Sequence, residues 1–356
     1  MAKKLMKGNE AVCEGAIAAG GVYFFGYPIT PQNEIPEYMS WRLPEVGGVF
    51  LQAESEVASI NMLYGAASTG KRVITTSSSP GISLMQEGIS YIATAELPCV
   101  IVNVQRGGPG LGNIAPAQSD YFQATRGGGH GDYRTPVLVP WSVHEMFTFT
   151  ARAFDIADTY RSPTLVLTDG ALGQMMEPVD LSDVPEPVRV EKPWATTGTE
   201  LKRPRNVVNS LWIVPEEMEE VNLRLQARYR QAAKDLAGEW EGYFLEDAEL
   251  VVVAYGVAAR NAYTAVKQAR EAGVKAGLFR PKFVYPYPYE ALRGYLERAR
   301  AALAVEMSLG QMVEDVRLAS EGRCPVFFWG RTAGIPLAPE AIRDAMKAAL
   351  EGRQVV

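Results

Sequence analysis

Residues 73–104 read VITTSSSPGISLMQEGISYIATAELPCVIVNV, and this stretch decides the fold class. It begins with the β-rich run VITT at 73–76, continues as a helical pattern over 82–94, and ends in the apolar run VIVNV at 100–104. Two short buried strands on either side of a helix are typical of a mainly parallel sheet whose faces are covered by helices. The sequence therefore predicts an α/β fold.

The same alternation of strand and helix continues on both sides of this stretch. We therefore expect residues 1–180 to form one parallel-sheet domain. Its other predicted elements are strands at 22–25, 49–51 and 164–168, and helices at 31–39, 55–69 and 142–160.

Two later parts of the chain differ from this domain. Residues 181–248 begin with a proline-rich, charged run and then carry an amphipathic helix from Pro215, so we interpret them as a linker with one packing helix. Residues 249–356 return to strand–helix alternation and predict a second α/β domain. Two domains suit 356 residues, because one hydrophobic core rarely spans that length. The apolar stripe of the linker helix is Met218, Val221, Leu225, Ala232 and Leu236.

Composition excludes several classes of partner. With 47% apolar and 21% charged residues, the chain has the composition of an ordinary globular protein. No run approaches the roughly 18 apolar residues of a membrane-spanning helix. The net charge of -6 gives no reason to expect a nucleic acid or an anionic membrane as partner. The first residues lack the apolar core of a signal peptide, so we expect a cytoplasmic protein.

Metal and redox ligands are scarce in the sequence. Cys13, Cys99 and Cys324 are far apart and form no C-x-x-C pair, so by themselves they provide neither an iron–sulfur cluster nor a zinc site. Two histidines are too few for a His-based metal site. We therefore expect no metal site here, and any redox centre on another chain.

Two glycine-rich runs share spacing with phosphate-binding motifs. Residues 65–71, GAASTGK, fit the P-loop frame, but Arg72 stands where a Ser or Thr is needed and the run follows a helix. Gly70 is better interpreted as a helix C-cap. Residues 108–112, GPGLG, follow a strand but precede no clear helix, so we interpret them as a mobile or tightly turning loop.

Three loops after predicted strands carry the candidate site residues. In GYPITP at 26–31, two prolines hold Thr30, which is either a fixed ligand-binding hydroxyl or a helix cap. In QAESE at 52–56, a glutamate either complements a helix dipole or faces a ligand nitrogen as a buried carboxyl. In QRGGPG at 105–110, Arg106 is either a surface residue or a two-pronged carboxylate clamp. Loops at the carboxyl ends of parallel strands meet at the usual ligand site, so we expect all three there.

These segments together resemble the α-type subunit of 2-oxoacid:ferredoxin oxidoreductases over almost the whole chain. The resemblance implies a thiamine-diphosphate-binding domain of the pyrimidine type, followed by a transketolase C-terminal-like α/β domain that serves assembly. QMMEP at 174–178 is similar to the branch that acts on branched-chain 2-oxoacids such as 3-methyl-2-oxobutanoate. The other matching motifs are GYPITP, the AESE…G pattern at 53–70, TSSSPGISLMQEGISY at 76–91, QRGGPG, VYPYP at 284–288 and EMSLGQMVEDV at 306–316.

The resemblance implies a role for each candidate residue. The family's carboxyl that contacts the aminopyrimidine ring of thiamine diphosphate falls on Glu56, with Pro28 and Ile29 also at the cofactor, which implies acid–base catalysis relayed through the cofactor. The residues that bind the substrate carboxylate fall on Arg106 and Thr30. The implied reaction is oxidative decarboxylation of a 2-oxoacid to an acyl-CoA, with electrons passed through iron–sulfur clusters to ferredoxin.

The resemblance also implies partner subunits. Thiamine enzymes hold the diphosphate and Mg²⁺ through a Gly-Asp-Gly motif followed later by paired asparagines. This chain has partial echoes at Gly131-Asp132 and Asp169-Gly170 and no Asn-Asn pair. A β-type subunit should therefore bind the diphosphate and Mg²⁺, beside a γ-type subunit and a ferredoxin-like subunit with [4Fe-4S] clusters. Alternatives are the same reaction on 2-oxoglutarate, pyruvate or an aryl 2-oxoacid, and a non-catalytic scaffold for a thiamine-binding subunit.

The loop after Arg106 bears on the substrate. From Gly107 to Thr125 there is no lysine or arginine, whereas relatives that act on 2-oxoglutarate commonly carry a lysine in this loop. A second substrate carboxylate would need a cation nearby. Leu111 and its apolar neighbours therefore favour an apolar substrate side chain, and Leu111 is predicted to bind it.

Overall fold

The structure, a computed structural model, describes residues 3–184 and 186–353. Strands and helices alternate along most of this length, as predicted. The strands are β1 (Lys4–Lys7), β2 (Tyr23–Gly26), β3 (Val49–Gln52), β4 (Val73–Ser77), β5 (Cys99–Gln105), β6 (Val137–Leu138), β7 (Pro163–Asp169), β8 (Met176–Val179), β9 (Trp240–Tyr243), β10 (Leu250–Val253), β11 (Ala276–Pro281), β12 (Phe283–Tyr285), β13 (Ala301–Glu306) and β14 (Val326–Gly330). The helices are α1 (Gly8–Ala18), α2 (Glu34–Glu45), α3 (Glu56–Ser68), α4 (Ser79–Thr94), α5 (Tyr121–Arg126), α6 (Val143–Tyr160), α7 (Gly170–Gln174), α8 (Pro215–Leu236), α9 (Gly256–Glu271), α10 (Tyr289–Leu296), α11 (Met312–Ser320) and α12 (Pro339–Leu350).

The larger sheet has the strand order β12-β6-β7-β5-β4-β2-β3. Its pairs from β6 to β3 are parallel, and β12 adds antiparallel to β6 at the edge. The stretch quoted first forms β4, α4 and β5, with Ile74 opposite Val100 and Ser77 opposite Asn103. Strands β4, β5 and β7 are buried along their whole length, as expected for a parallel sheet covered on both faces.

The smaller sheet has the order β14-β13-β10-β11-β9, and β9 is its antiparallel edge strand. A separate antiparallel ribbon joins β1 to β8. Apolar side chains of both sheets belong to the same two core clusters, so the two sheets and their helices pack together. In addition, β12 comes from the C-terminal part of the chain but completes the larger sheet. The domain limits near 180 and 248 stay predictions.

Each sheet has a topological switch point. There, one strand pairs with the next parallel strand of the chain on one side and with a later parallel strand on its other side. In the larger sheet β2 pairs with β3 on one side and β4 on the other. In the smaller sheet β10 pairs in the same way with β11 and β13. Ligands of open α/β sheets bind in the crevice outside the carboxyl ends of the strands at such a point.

Several elements differ from their prediction. Helix α2 begins at Glu34, not at Pro31, because the Pro31 carbonyl accepts hydrogen bonds from the side chains of Asn9 (2.9 Å) and Gln174 (3.2 Å). The predicted linker helix is present as α8, with Tyr229 buried in its stripe and Met218 only half-buried. Strands β1, β6, β8, β9 and β12 were not predicted, since such short strands carry little sequence signal.

The two glycine-rich runs have the predicted character. Gly70 lies just after α3 with a left-handed φ of 80°, and its N–H donates to the Ala67 carbonyl at 2.9 Å, which confirms the C-cap interpretation. Residues 108–112 form a loop in which Gly110 and Gly112 have positive φ. Among the described residues, no helix has both the length and the apolar character needed to cross a membrane.

Candidate functional site

The candidate site lies at the switch point of the larger sheet, between β2 and β4. The loop after β2 is tied to the end of β4, because the Thr76 hydroxyl donates to Gln32 Oε1 at 2.6 Å. Gln32 Nε2 in turn donates to the Tyr27 carbonyl at 3.1 Å. Pro28, Ile29 and Thr30 are half-buried in the same loop. This geometry presents the loop at the carboxyl ends of the strands, as expected.

The structure separates the two glutamates of the QAESE segment, Glu54 and Glu56. Ser55 caps α3 by accepting a hydrogen bond from the Ala58 N–H at 3.2 Å, so Glu56 is the first helical residue. Glu56 is 5% exposed, whereas Glu54 points to solvent. The Glu56 carboxyl is therefore the buried one.

Gly81 makes room for the Glu56 carboxyl. A Cβ atom on Gly81 would lie 2.5 Å from Glu56 Oε1 and 2.1 Å from Ser77 Oγ. Glu56, at the start of α3, and Ser77, at the end of β4, thus converge on the first turn of α4. The run TSSSPG at 76–81 places small residues at this point, which lets the carboxyl lie against the helix backbone.

Two buried hydroxyl groups before the start of α4 have no partner in the part of the chain that the structure describes, and that of Ser77 lies beside this carboxyl. Ser77 Oγ and Ser78 Oγ are buried, and neither has a hydrogen-bond partner among the described residues. Buried hydroxyls are normally hydrogen-bonded. Together with the Glu56 carboxyl they fit a flat polar ring with both donor and acceptor nitrogens, such as the aminopyrimidine of thiamine diphosphate.

Arg106 lies next to this group, directly after β5. Its guanidinium donates through Nη1 to the Thr30 carbonyl and through Nη2 to the Leu111 carbonyl, both at 3.0 Å. The side chain is 6% exposed, and its Nε has no partner among the described residues. Since a guanidinium has five N–H donors, Arg106 keeps unused donors for a carboxylate.

The structure brings Thr30 and Leu111 into contact with Arg106. Both residues make this contact through their backbone carbonyls. Thr30 Oγ1 accepts a hydrogen bond from Asn33 Nδ2 at 3.2 Å, in the exposed part of the loop. The Leu111 side chain is 81% exposed. It is thus available to a ligand or to another subunit.

Sequence reasoning missed a polar network behind Arg106. Asp120 Oδ2 accepts hydrogen bonds from Ser79 Oγ (2.6 Å) and Asn103 Nδ2 (2.9 Å), and Ser79 Oγ accepts one from the Arg106 N–H (3.0 Å). Burial raises the pKa of the Asp120 carboxyl, opposed by these hydrogen bonds. The available sequence signal was a polar Asn103 inside an otherwise apolar strand.

The partial echoes of the diphosphate motif have other roles in the structure. Asp169 caps α7, accepting hydrogen bonds from the Ala171 (2.8 Å) and Leu172 (3.2 Å) N–H groups. Asp132 lies in an exposed loop. Within the described part of the chain, no group of three or more His, Cys, Asp or Glu side chains is arranged to hold a metal ion.

Comparison with known proteins identifies the family to which this chain belongs. The family model for the thiamine-diphosphate-binding domain of pyruvate flavodoxin/ferredoxin oxidoreductases matches residues 14–235, more than half of the chain. The chain belongs to the 2-oxoacid:ferredoxin oxidoreductase family. A second model of the same family, pyruvate:ferredoxin oxidoreductase core domain II, matches residues 248–342 of this family member.

Relatives of this oxidoreductase subunit include the ketoisovalerate oxidoreductase subunit VorB of Methanothermobacter thermautotrophicus, which is 49% identical over 320 residues and covers 90% of each chain. The 2-oxoglutarate:ferredoxin oxidoreductase of Magnetococcus marinus, solved with 2-oxoglutarate, coenzyme A and succinyl-CoA bound, superposes with a TM-score of 0.86 at 27% identity. That match covers 98% of this chain and 65% of the other. A split-gene transketolase, an inactive β4 tetramer, matches at a TM-score of 0.60 and 14% identity, over 97% and 96% of the chains, and supports the fold alone.

These findings confirm the predicted family and fold class. The chain is a 2-oxoacid:ferredoxin oxidoreductase subunit with a thiamine-diphosphate-binding domain and a transketolase-like fold. The roles of its individual site residues are taken up as proposals.

Proposed function

We propose that this subunit acts in the oxidative decarboxylation of a branched-chain 2-oxoacid to an acyl-CoA, with Glu56 and Arg106 as the groups that touch cofactor and substrate. The observation that carries the proposal is that a buried carboxyl lies against the first turn of α4, and that the backbone N–H bound to Ser79 of the same turn belongs to Arg106, whose guanidinium keeps unused donors. Glu56 is close to Gly81, and Arg106 is hydrogen-bonded to Ser79, two residues earlier.

Each site residue has a distinct task in this proposal. Glu56 holds a proton at a ring nitrogen of the bound aminopyrimidine and exchanges it during the reaction. Thiamine diphosphate, when bound, supplies the nucleophilic carbon and accepts the electrons left by decarboxylation. Arg106 binds the substrate carboxylate through its unused donors, and Thr30, Pro28 and Ile29 line the same crevice.

The substrate side chain is proposed to be apolar and branched. The loop after Arg106 exposes Leu111 (81%) and Ile114 (63%) and carries no cation up to Thr125 that would pair with a second carboxylate. The relative that is 49% identical acts, by its name, on ketoisovalerate, whereas relatives named as 2-oxoglutarate synthase subunits are 36–40% identical. Both observations favour a branched substrate over 2-oxoglutarate.

Partner subunits complete the enzyme in this proposal. The relative is named as a subunit of an oxidoreductase, and this chain lacks the paired asparagines that accompany a diphosphate site. We assign the diphosphate and Mg²⁺ to a β-type subunit, and the [4Fe-4S] clusters to a ferredoxin-like subunit beside a γ-type subunit. Coenzyme A is the acyl acceptor, and ferredoxin receives the electrons.

The test is viologen reduction by the purified complex, with 3-methyl-2-oxobutanoate, pyruvate, 2-oxoglutarate or phenylpyruvate as substrate and coenzyme A present. We expect the wild-type complex to prefer the branched acid. In Glu56→Gln we expect kcat to fall at least ~100-fold, since the amide of glutamine cannot exchange a proton with the cofactor as a carboxyl does. Glu54→Gln, two residues earlier and exposed, is the matched control and should keep full activity. Full activity of Glu56→Gln would instead indicate a scaffold.

A further inference from the structure

The ligand crevice of the smaller sheet is occupied by the chain itself. Gln118, which follows the Arg106 loop, lies at the carboxyl ends of β10 and β13. Its N–H donates to the Met307 carbonyl (2.8 Å), its Nε2 donates to the Tyr255 carbonyl (2.9 Å), and its Oε1 accepts from the Met307 N–H (3.0 Å). Gln118 is 1% exposed. At the position where such sheets usually bind a ligand, this sheet binds a segment of the first domain.

Further hydrogen bonds attach the rest of that segment, residues 113–126, which we call the strap. Gln311, at the start of α11, donates through Nε2 to the Ser119 carbonyl (2.7 Å) and accepts through Oε1 from the Phe122 N–H (2.8 Å). Asp315 on the same helix pairs with Arg126 at 2.9 Å. The strap is therefore fixed to the second domain along most of its length.

One strap residue reaches back to the substrate site. Asp120 accepts the hydrogen bonds of Ser79 Oγ and Asn103 Nδ2 on one oxygen, Oδ2, while its own N–H donates to Gln105 Oε1 at 3.0 Å. Ser79 Oγ accepts the N–H of Arg106. The strap residues on either side of Asp120 are thus hydrogen-bonded to the second domain, while the Asp120 carboxylate holds Ser79, which accepts the backbone N–H of Arg106.

We propose that Asp120 is a positioning residue for Arg106, held in register by the second domain through Gln118. The inference rests on the proposed function, in which Arg106 binds the substrate carboxylate. It gives the second domain a part in substrate binding beyond assembly. Without Asp120, two buried donors lose their acceptor and the Arg106 backbone loses its support.

The first test compares Asp120→Ala with Asp120→Asn in the assembled complex. Because one oxygen accepts both hydrogen bonds, the asparagine side chain preserves them, so its KM for 3-methyl-2-oxobutanoate should stay within about threefold of wild type. Asp120→Ala should raise KM at least ~10-fold with a much smaller change in kcat, since the lost interaction concerns binding. A merely structural role would lower the melting temperature without this selective rise in KM.

The second test asks whether Asp120 acts through Arg106. When Asp120→Ala is added to Arg106→Met, KM should rise by less than about twofold above that of Arg106→Met alone. The two effects are not additive if Asp120 acts only through Arg106. Asp158→Ala is the control for loss of a buried carboxylate. Asp158 is 4% exposed and pairs with Arg72 and with Lys192 of the linker, away from the candidate site, so its loss should lower the melting temperature and leave KM unchanged.

The outcomes separate this inference from the proposed function. If Arg106→Met leaves KM unchanged, the proposed carboxylate site is overturned. If Arg106→Met raises KM but Asp120→Ala does not, only the positioning role of Asp120 is overturned. The same holds if the effects of the two substitutions on KM are additive in the double variant. Should Asp120→Ala fail to assemble, Ser79→Ala removes the hydroxyl that joins Asp120 to Arg106. It should raise KM, and an unchanged KM would refute the inference.

Discussion

Gly81→Ala is the sharpest test of how the Glu56 carboxyl is positioned. The added Cβ would stand 2.5 Å from Glu56 Oε1 and 2.1 Å from Ser77 Oγ, whereas ordinary contact begins near 3.4 Å. The carboxyl must therefore move by about 1 Å, and a displacement of about 1 Å in a reacting group costs roughly 100-fold in rate. We expect kcat to fall about 100-fold while the complex still assembles.

Viologen reduction by the complex, at saturating 2-oxoacid, coenzyme A and thiamine diphosphate, measures this effect. Gly294→Ala is the matched control: Gly294 lies in α10, and apart from its chain neighbours and its own helix backbone no atom of the described residues lies within 4 Å of its would-be Cβ. That variant should be stabilised by roughly 0.5–1 kcal/mol, because alanine favours helix, with activity unchanged. A folded Gly81→Ala complex with kcat within about threefold of wild type would refute the positioning of Glu56 described above.

Two further predictions concern substrate choice and pH. Leu111→Arg should improve the use of 2-oxoglutarate relative to 3-methyl-2-oxobutanoate, because it adds the missing cation to an exposed loop position; an unchanged substrate ratio would remove Leu111 from the pocket. Burial raises the pKa of the Asp169 carboxyl to about 6, so its contribution to stability is full below its unfolded pKa of 3.8 and is lost as the pH rises through about 6. Relative to Asp169→Asn, which keeps a cap acceptor, the wild-type free energy of unfolding should fall by roughly 2 kcal/mol between about pH 4 and pH 7 in urea titrations; a constant difference between the two proteins over this pH range would contradict this.

Local sequence patterns were sufficient for the central elements. The runs VITT and VIVNV became β4 and β5, and Ser142 caps α6 as predicted. These segments were predictable because buried parallel strands are continuously apolar and because helix caps depend on adjacent residues. The start of α2 was not predictable, since the Pro31 carbonyl is held by side chains from α1 and α7, which are distant in sequence.

The residues of the candidate site likewise divide into those that the local sequence predicted and those that only the tertiary structure identified. The residues by themselves did not separate Glu54 from Glu56, which only the resemblance selected, whereas the structure distinguishes Glu56 by its burial and its position against Gly81. Asp120 and Gln118 gave no functional signal, because their partners lie on α4, β5 and the second domain. A single polar residue in a loop has no pattern until its partners are placed.

By itself, the sequence determined the α/β class, the family resemblance and the three loops that carry Thr30, Glu56 and Arg106. It did so because strand periodicity, turn residues and motif spacing are properties of neighbouring residues. Only the tertiary structure decided which carboxyl is buried, how β12 completes the larger sheet, and that Gln118 enters the crevice of the smaller one. These features depend on contacts between residues far apart in sequence, and such contacts form only when the chain folds into its tertiary structure.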